Sequence, residues 1–111
     1  KPVGTIWLAF SSKEKIKTNT GQANDYAWKL YLKCDDQSIL KEAIVWMQTV
    51  VKVETIYAHQ DTYAALLYKT QQFEAALKAA NEALMLGEKQ GQEVTETKEL
   101  IGKIKTALAE K

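Results

Sequence analysis

Cys34 and His59 are the only thiol and the only imidazole in the chain, and a thiol beside an imidazole is the smallest pair that performs nucleophilic catalysis. Asp61, two positions after His59, adds a carboxylate of the kind that orients such a base or works as a general acid. None of the three has the company that this chemistry requires. Cys34 falls at helical spacing with Ala27 and Leu30, on a face where a free cysteine behaves as a small buried hydrophobe. His59 has no second imidazole or thiolate at ligand spacing, so no metal site is expected and His59 reads as a surface or groove residue. Asp61 lacks a partner carboxylate and is expected either to cap its own helix or to hydrogen-bond a neighbouring turn. The reading is of a chain with no catalytic residue, no cofactor and no metal.

Composition narrows the remaining classes. At 111 residues the chain is one domain's worth, and 46% apolar with 26% charged residues is ordinary for a globular protein. The 15 basic residues are all lysine, the 14 acidic ones interleave with them, and the formal net charge is +1. Such a balance gathers no phosphates over distance, and without arginine there is no planar fork to read base edges, so nucleic acid is not an expected partner. No apolar run approaches the roughly 20 residues of a membrane helix; the longest, Ile6 to Phe10, is far too short. Lys13, Lys15 and Lys17 near Trp7 and Phe10 give only marginal attraction to an anionic surface and read as a solvated linker. A lone cysteine leaves the redox compartment undetermined. The chain begins with Lys1 and not Met, as expected of a processed or excised form.

Residues 1–20 form the least regular part, a lead-in in which Ser11 and Glu14 have capping-box spacing ahead of a short helix with Ile16 as its apolar residue. Trp7 and Phe10 are costly to leave in water and are expected to pack. From Gly21 a 3.6-residue period sets in, with Ala23, Ala27, Leu30, Tyr31 and Cys34 on one face. Asp35 and Asp36 then offer an N-cap to a second helix striped by Leu40, Ala43, Ile44, Met47, Val50 and Val51, ending near Val53. A third helix is expected from between Glu54 and Ala58 to about Thr70, and a fourth from Gln72 to about Lys89, with Gly87 and Gly91 weakening its end. A last helix from about Thr95 carries Ile101, Ile104 and Leu108 on one side and reads as a cap over an apolar face.

The two hairpins repeat. Ala27, Leu30 and Tyr31 match Ala64, Leu67 and Tyr68 at one offset, while Leu40, Ala43, Ile44, Met47, Val50 and Val51 match Phe73, Ala76, Leu77, Ala80, Ala83 and Leu84 at a shorter one. The difference predicts a longer turn in the first hairpin, near Cys34 to Ser38. Methyl-sized side chains at Ala64, Ala76 and Ala83 allow close approach of two backbones while Leu67, Phe73, Leu77 and Leu84 fill the seam. Over residues 21–89 this pattern resembles the tetratricopeptide repeat, in which small, aromatic, small and small residues fall where Ala64, Phe73, Ala76 and Ala83 stand. Alanine at 27 and 64 replaces the family's usual glycine, Ala23 and Gln60 its tryptophan, and Thr55 and Glu88 its closing proline.

The resemblance implies an all-α superhelix of two hairpins plus a C-terminal capping helix over residues 21–111, and a protein- or peptide-binding role. It also implies a concave groove lined by the first helix of each pair. Asn24, Trp28, Tyr31, Leu32, Asp61, Ala65, Tyr68 and Lys69 fall there, with Trp28, Tyr31 and Tyr68 as aromatic anchors. The same aromatic stripe also fits a packed core seam. The clamp by which some relatives hold a terminal carboxylate is not reproduced, because Trp28 and Ala65 occupy the matching places. A second likeness runs through Tyr26-Ala27-Trp28, Leu40 with Ala43 and Trp46, Asp61 to Lys69, and Thr95-x-Thr97. It is similar to the helical region that follows a thioredoxin-like domain in some bacterial envelope proteins. That likeness implies an accessory domain in the periplasm or cell envelope docking on its redox neighbour, whose Cys-x-x-Cys is not in this chain.

Overall fold

A computed structural model describes residues 13–110, and within them the chain forms six helices and no strand. They are α1 (Lys13–Thr18), α2 (Thr20–Lys33), α3 (Gln37–Val53), α4 (Tyr57–Lys69), α5 (Phe73–Lys89) and α6 (Thr95–Ala109). The boundaries from α2 onward lie within a residue or two of those the periodicity predicts. The Ser11 cap and the packing of Trp7 and Phe10 lie outside the described residues.

Consecutive helices from α2 pack against one another, and α4 also touches both α2 and α6. Alternate helices run parallel. Thr20 Oγ1 donates to Glu54 Oε1 at 2.9 Å, joining the start of α2 to the turn before α4, and the Lys69 ammonium at the other end donates to the Tyr31 carbonyl. At the start of α6, Thr97 Oγ1 lies 2.6 Å from the hydroxyl of Tyr57, the first residue of α4. The helices therefore form two layers, α2, α4 and α6 in one and the antiparallel α3 and α5 in the other, consistent with a thickness of 18 Å.

Small residues make the layers approach. Ala27, Ala43, Ala64, Ala76, Ala80 and Ala83 are fully buried, and Leu40, Met47, Leu66 and Ile104 fill the space between backbones. Most matched positions of the two hairpins share their environments: Ala27 and Ala64, Leu30 and Leu67, Ala43 and Ala76, Met47 and Ala80, Val50 and Ala83 are all buried, and Tyr31 and Tyr68 are both half-buried, whereas Leu40 and Ile44 are buried and their counterparts Phe73 and Leu77 only half-buried. Central position explains α4. It buries His59, Gln60, Thr62, Ala64, Ala65, Leu66 and Leu67, residues spread right round the helix, because four other helices pack on it.

Three expectations need correction. Both hairpin connections contain three residues, so the first turn is not the longer one; the extra length lies in helix, one residue at the end of α2 and three at the start of α3. The strong N-cap accounts for this, since Asp36 Oδ1 accepts from the Ser38 and Ile39 amides at 2.9 and 3.3 Å and starts α3 early. Secondly, Lys15 and Lys17 lie exposed on a helix and not on a linker: α1 is the short helix that the sequence offers there, and its apolar residue, Ile16, is a core residue at 3% exposure because α1 packs on α3. Thirdly, His59 is buried at 3% exposure, with Nδ1 placed 2.9 Å from the Glu54 carbonyl. A donor is needed there, so the imidazole carries a proton on Nδ1 and satisfies a carbonyl just ahead of α4.

The turns after α4 and α5 use one device. In each, a residue with positive φ follows the helix, Gln71 at 65° and Gly91 at 71°. The amides of Gln72 and Gln92 reach back to the carbonyls of Leu67 and Gly87 at 2.9 and 2.8 Å, closing the left-handed cap that reverses the chain. Gly87 has a different task. A Cβ there would stand 2.4 Å from Val94 Cγ1 and 2.9 Å from the Tyr57 ring, so the missing side chain lets α6 enter close to the start of α4.

Candidate interaction groove

The parallel layer α2, α4 and α6 carries a groove built from three connected clefts. The first, of about 510 Å³, opens between Asn24, Asp25 and Trp28 of α2, Tyr57 and Asp61 of α4, and Glu93 and Glu96 at the start of α6. A second, of about 190 Å³, shares Trp28, Asp61 and Glu96 with it and continues past Tyr31, Leu32, Ala65, Glu99 and Leu100 to Lys103. Beyond Lys103 a third, of about 470 Å³, lies between Tyr68 and the last turns of α6. The helical rise puts Tyr57 and Tyr68 about 16 Å apart along α4.

Seven of the eight residues assigned to this face by the sequence line one of these clefts: Asn24, Trp28, Tyr31, Leu32, Asp61, Ala65 and Tyr68. They contribute differently. Leu32 is 57% exposed on the rim, whereas Ala65 is buried and offers only floor. Trp28 and Tyr31 stack with ring centroids 5.0 Å apart, and Tyr68 leans on Phe73 at 5.9 Å, so each aromatic is held by a neighbour while one edge faces the groove. They are packed against the core and line the groove at once, which unites the two readings of the aromatic stripe. Lys69 does something else. Its ammonium sits 5.6 Å from the centre of the Tyr31 ring and 3.7 Å from Asp35, bracing α4 against the end of α2 outside the clefts.

A chain of hydroxyls fixes the acid end. Thr97 is fully buried and donates to Asp61 Oδ1 at 2.8 Å, which commits its only proton; the Tyr57 hydroxyl, 2.6 Å from Thr97 Oγ1, is then the donor to it. Burial pushes the Asp61 carboxyl above its ordinary range; the Thr97 hydrogen bond opposes this and the nearby Glu96 adds to it. Burial likewise raises the Tyr57 phenol, with the Thr97 bond opposing, which keeps it the donor. Glu93 is exposed, and its bonds from the Thr95 side chain and amide hold its carboxyl below the usual value. Asp61 thus bonds the first turn of a neighbouring helix, where the sequence reading expected a cap on its own helix or a bond to a neighbouring turn.

The sequence reading missed the third wall. Glu93, Glu96 and Glu99 recur every three residues and share a face with Leu100 and Lys103, a spacing legible in advance. Treating α6 only as a cap hid it. The thiol–imidazole pair is not assembled: Cys34 follows the end of α2 while His59 lies at the start of α4, and in parallel helices that separates them by about 18 Å of helical rise. Cys34 is part-buried, its sulfur 4.0 Å from the Asp36 carbonyl. Among the described residues no group of histidine, cysteine and carboxylate could hold a metal ion, and no helix is long and apolar enough to cross a membrane. No known family model matches the chain, and neither a curated protein nor a solved structure matches it.

Proposed function

We propose that this chain is a non-catalytic helical-repeat module of the tetratricopeptide kind, whose α2/α4/α6 face receives a segment of another protein. One observation carries the reading: residues assigned to a groove from the sequence, on helices 37 positions apart in the repeat, line adjoining clefts on one face that share Trp28, Asp61 and Glu96. The parallel order of alternate helices, the small residues at the close contacts and the shared burial of matched positions support the superhelical part of it. Held aromatic rings with one edge free lose little entropy on contact, and this favours binding by the groove over a purely structural role for Trp28.

The test is selection of peptides from a displayed random library against the folded protein, followed by titration into variants. Trp28→Ala and Leu32→Glu are each expected to weaken the selected peptides at least about tenfold, a typical loss for an interface anchor; Leu32→Glu, at an exposed rim residue, should do so with melting close to that of the parent, whereas Trp28→Ala also gives up packing against the core. Selected peptides whose affinity survives both substitutions would remove the groove from consideration.

A further inference from the structure

Charge is distributed very unevenly around a molecule whose net charge is only +1. Five carboxylates, Asp25, Asp61, Glu93, Glu96 and Glu99, line the first two clefts of the groove. Only Lys29 and Lys103 oppose them there, and Lys103 stands at the far end. No described lysine stands within ion-pair distance of any of the five groove carboxylates, although the charge of Lys98 helps to hold Glu93 ionised. The positive end of the α6 dipole supports Glu96 in its first turn, but that effect fades within a turn and does not reach Asp61 or Glu99, each beyond the first turn of its helix. Asn24, on the wall of the first cleft, has a side-chain oxygen that is buried and without a partner.

We infer that the groove's occupant is a lysine- or arginine-bearing peptide segment of another protein, lying extended along α4 with its cations at the Tyr57 end and an apolar side chain over Trp28, Leu32 and Leu100. This rests on the groove being the binding face, and adds the chemical class of partner and its orientation. Charge complementarity selects the occupant: an acidic or neutral segment would leave the five carboxylates uncompensated, and an anionic surface would be repelled. Length follows from geometry. The roughly 16 Å from Tyr57 to Tyr68 accommodates about five extended residues at about 3.3 Å each. Direction follows from the difference between the ends: four carboxylates face one lysine, Lys29, in the first cleft, whereas Glu110 and Lys103 balance each other at the Tyr68 end, where the segment should carry no cation.

The experiment titrates three pools of blocked eight-residue peptides into isotopically labelled protein. All share one central leucine, flanked by lysine and arginine, by alanine and glutamine, or by glutamate, and amide and indole shifts locate and quantify binding. The basic pool is expected to shift Trp28 and Glu96 and to bind at least about tenfold tighter than the neutral pool. Raising sodium chloride from about 0.05 M to about 0.5 M should remove most of that margin. Glu96→Gln and Glu99→Gln, both on exposed positions, should each lower affinity about twofold to fivefold, the range for a solvent-facing ion pair. Equal binding of neutral and basic pools in the groove overturns the basic partner and leaves the groove standing. Binding whose shifts fall elsewhere, or no binding by any pool at millimolar peptide, overturns the groove as the binding face and the inference with it.

Discussion

Two depressions of nearly equal size, one on each layer, differ in what lines them. The first cleft of the groove encloses about 510 Å³ and the one between α3, α4 and α5 about 500 Å³, yet their linings are opposite in kind. The second is floored by Val51, Leu67, Ala75 and Ala79 and flanked by Lys52 and Lys78, and its one acid, Glu82, accepts a hydrogen bond from Gln60 Nε2 at 3.0 Å. In the groove, four carboxylates share the first cleft with one lysine, Lys29, and among the described residues no cation stands within ion-pair distance of any of them. Volume therefore does not distinguish a packing gap between diverging helices from a surface with unmet electrostatic demand. The state of the polar groups does.

The largest effect expected from this contrast is on stability. Leu67→Ala, at the floor of the α3/α4/α5 cleft and 3% exposed, should cost about 2–5 kcal/mol in chemical denaturation. Leu32→Ala, on the groove rim, should stay within about 0.5 kcal/mol of the parent. Equal losses would mean that the groove rim is as structural as the other cleft. Gly87→Ala should cost about 1–3 kcal/mol, because the added methyl collides with Val94 and Tyr57, and the better helix propensity of alanine offsets only part of this. Hydrogen exchange should place that loss in α6 and leave α3 protected, opening one depression and sparing the other.

A smaller effect concerns Asp61. Its carboxyl is raised in the folded chain, so the folded state holds the proton more firmly than the unfolded one, and the sign follows: stability from this group is present below the unfolded pKa and is lost as pH rises through the folded one. Asp61→Asn keeps an oxygen for the Thr97 hydroxyl and removes the charge. Its stability relative to the parent should therefore rise from mildly acidic to neutral pH and level off at low pH, read from melting at each pH. A flat difference would mean that Asp61 is solvated and not part of a strained acidic wall. Smallest is Gln71→Gly, which relieves a left-handed residue after α4 and should add about 0.5–1 kcal/mol. It acts on the end of α4 that both depressions share, so peptide affinity should not change.

Helix order and boundaries were legible because alanine, leucine and valine recur at helical spacing and because Asp36 and Gly91 sit where chains turn. The placing of Asn24, Trp28 and Leu32 on a groove came instead from the resemblance to the tetratricopeptide repeat, which implies that the first helix of each pair lines one. The burial of His59 and Gln60 was not legible, since a helix packed on all sides has no apolar stripe to separate its buried from its exposed residues. Nor was the helical placement of the extra residues in the first hairpin, because offsets count residues without saying whether they lie in a loop or an added turn.

The sequence by itself determined an all-helical chain, with amphipathic segments whose small residues permit close contact, since periodicity and side-chain volume act locally along the chain. Only tertiary structure decided that α6 would bring Glu93, Glu96 and Glu99 opposite Asp25 and Asp61. Electrostatic interaction depends on distance in space, and those distances exist only once parallel helices from separate parts of the chain lie side by side.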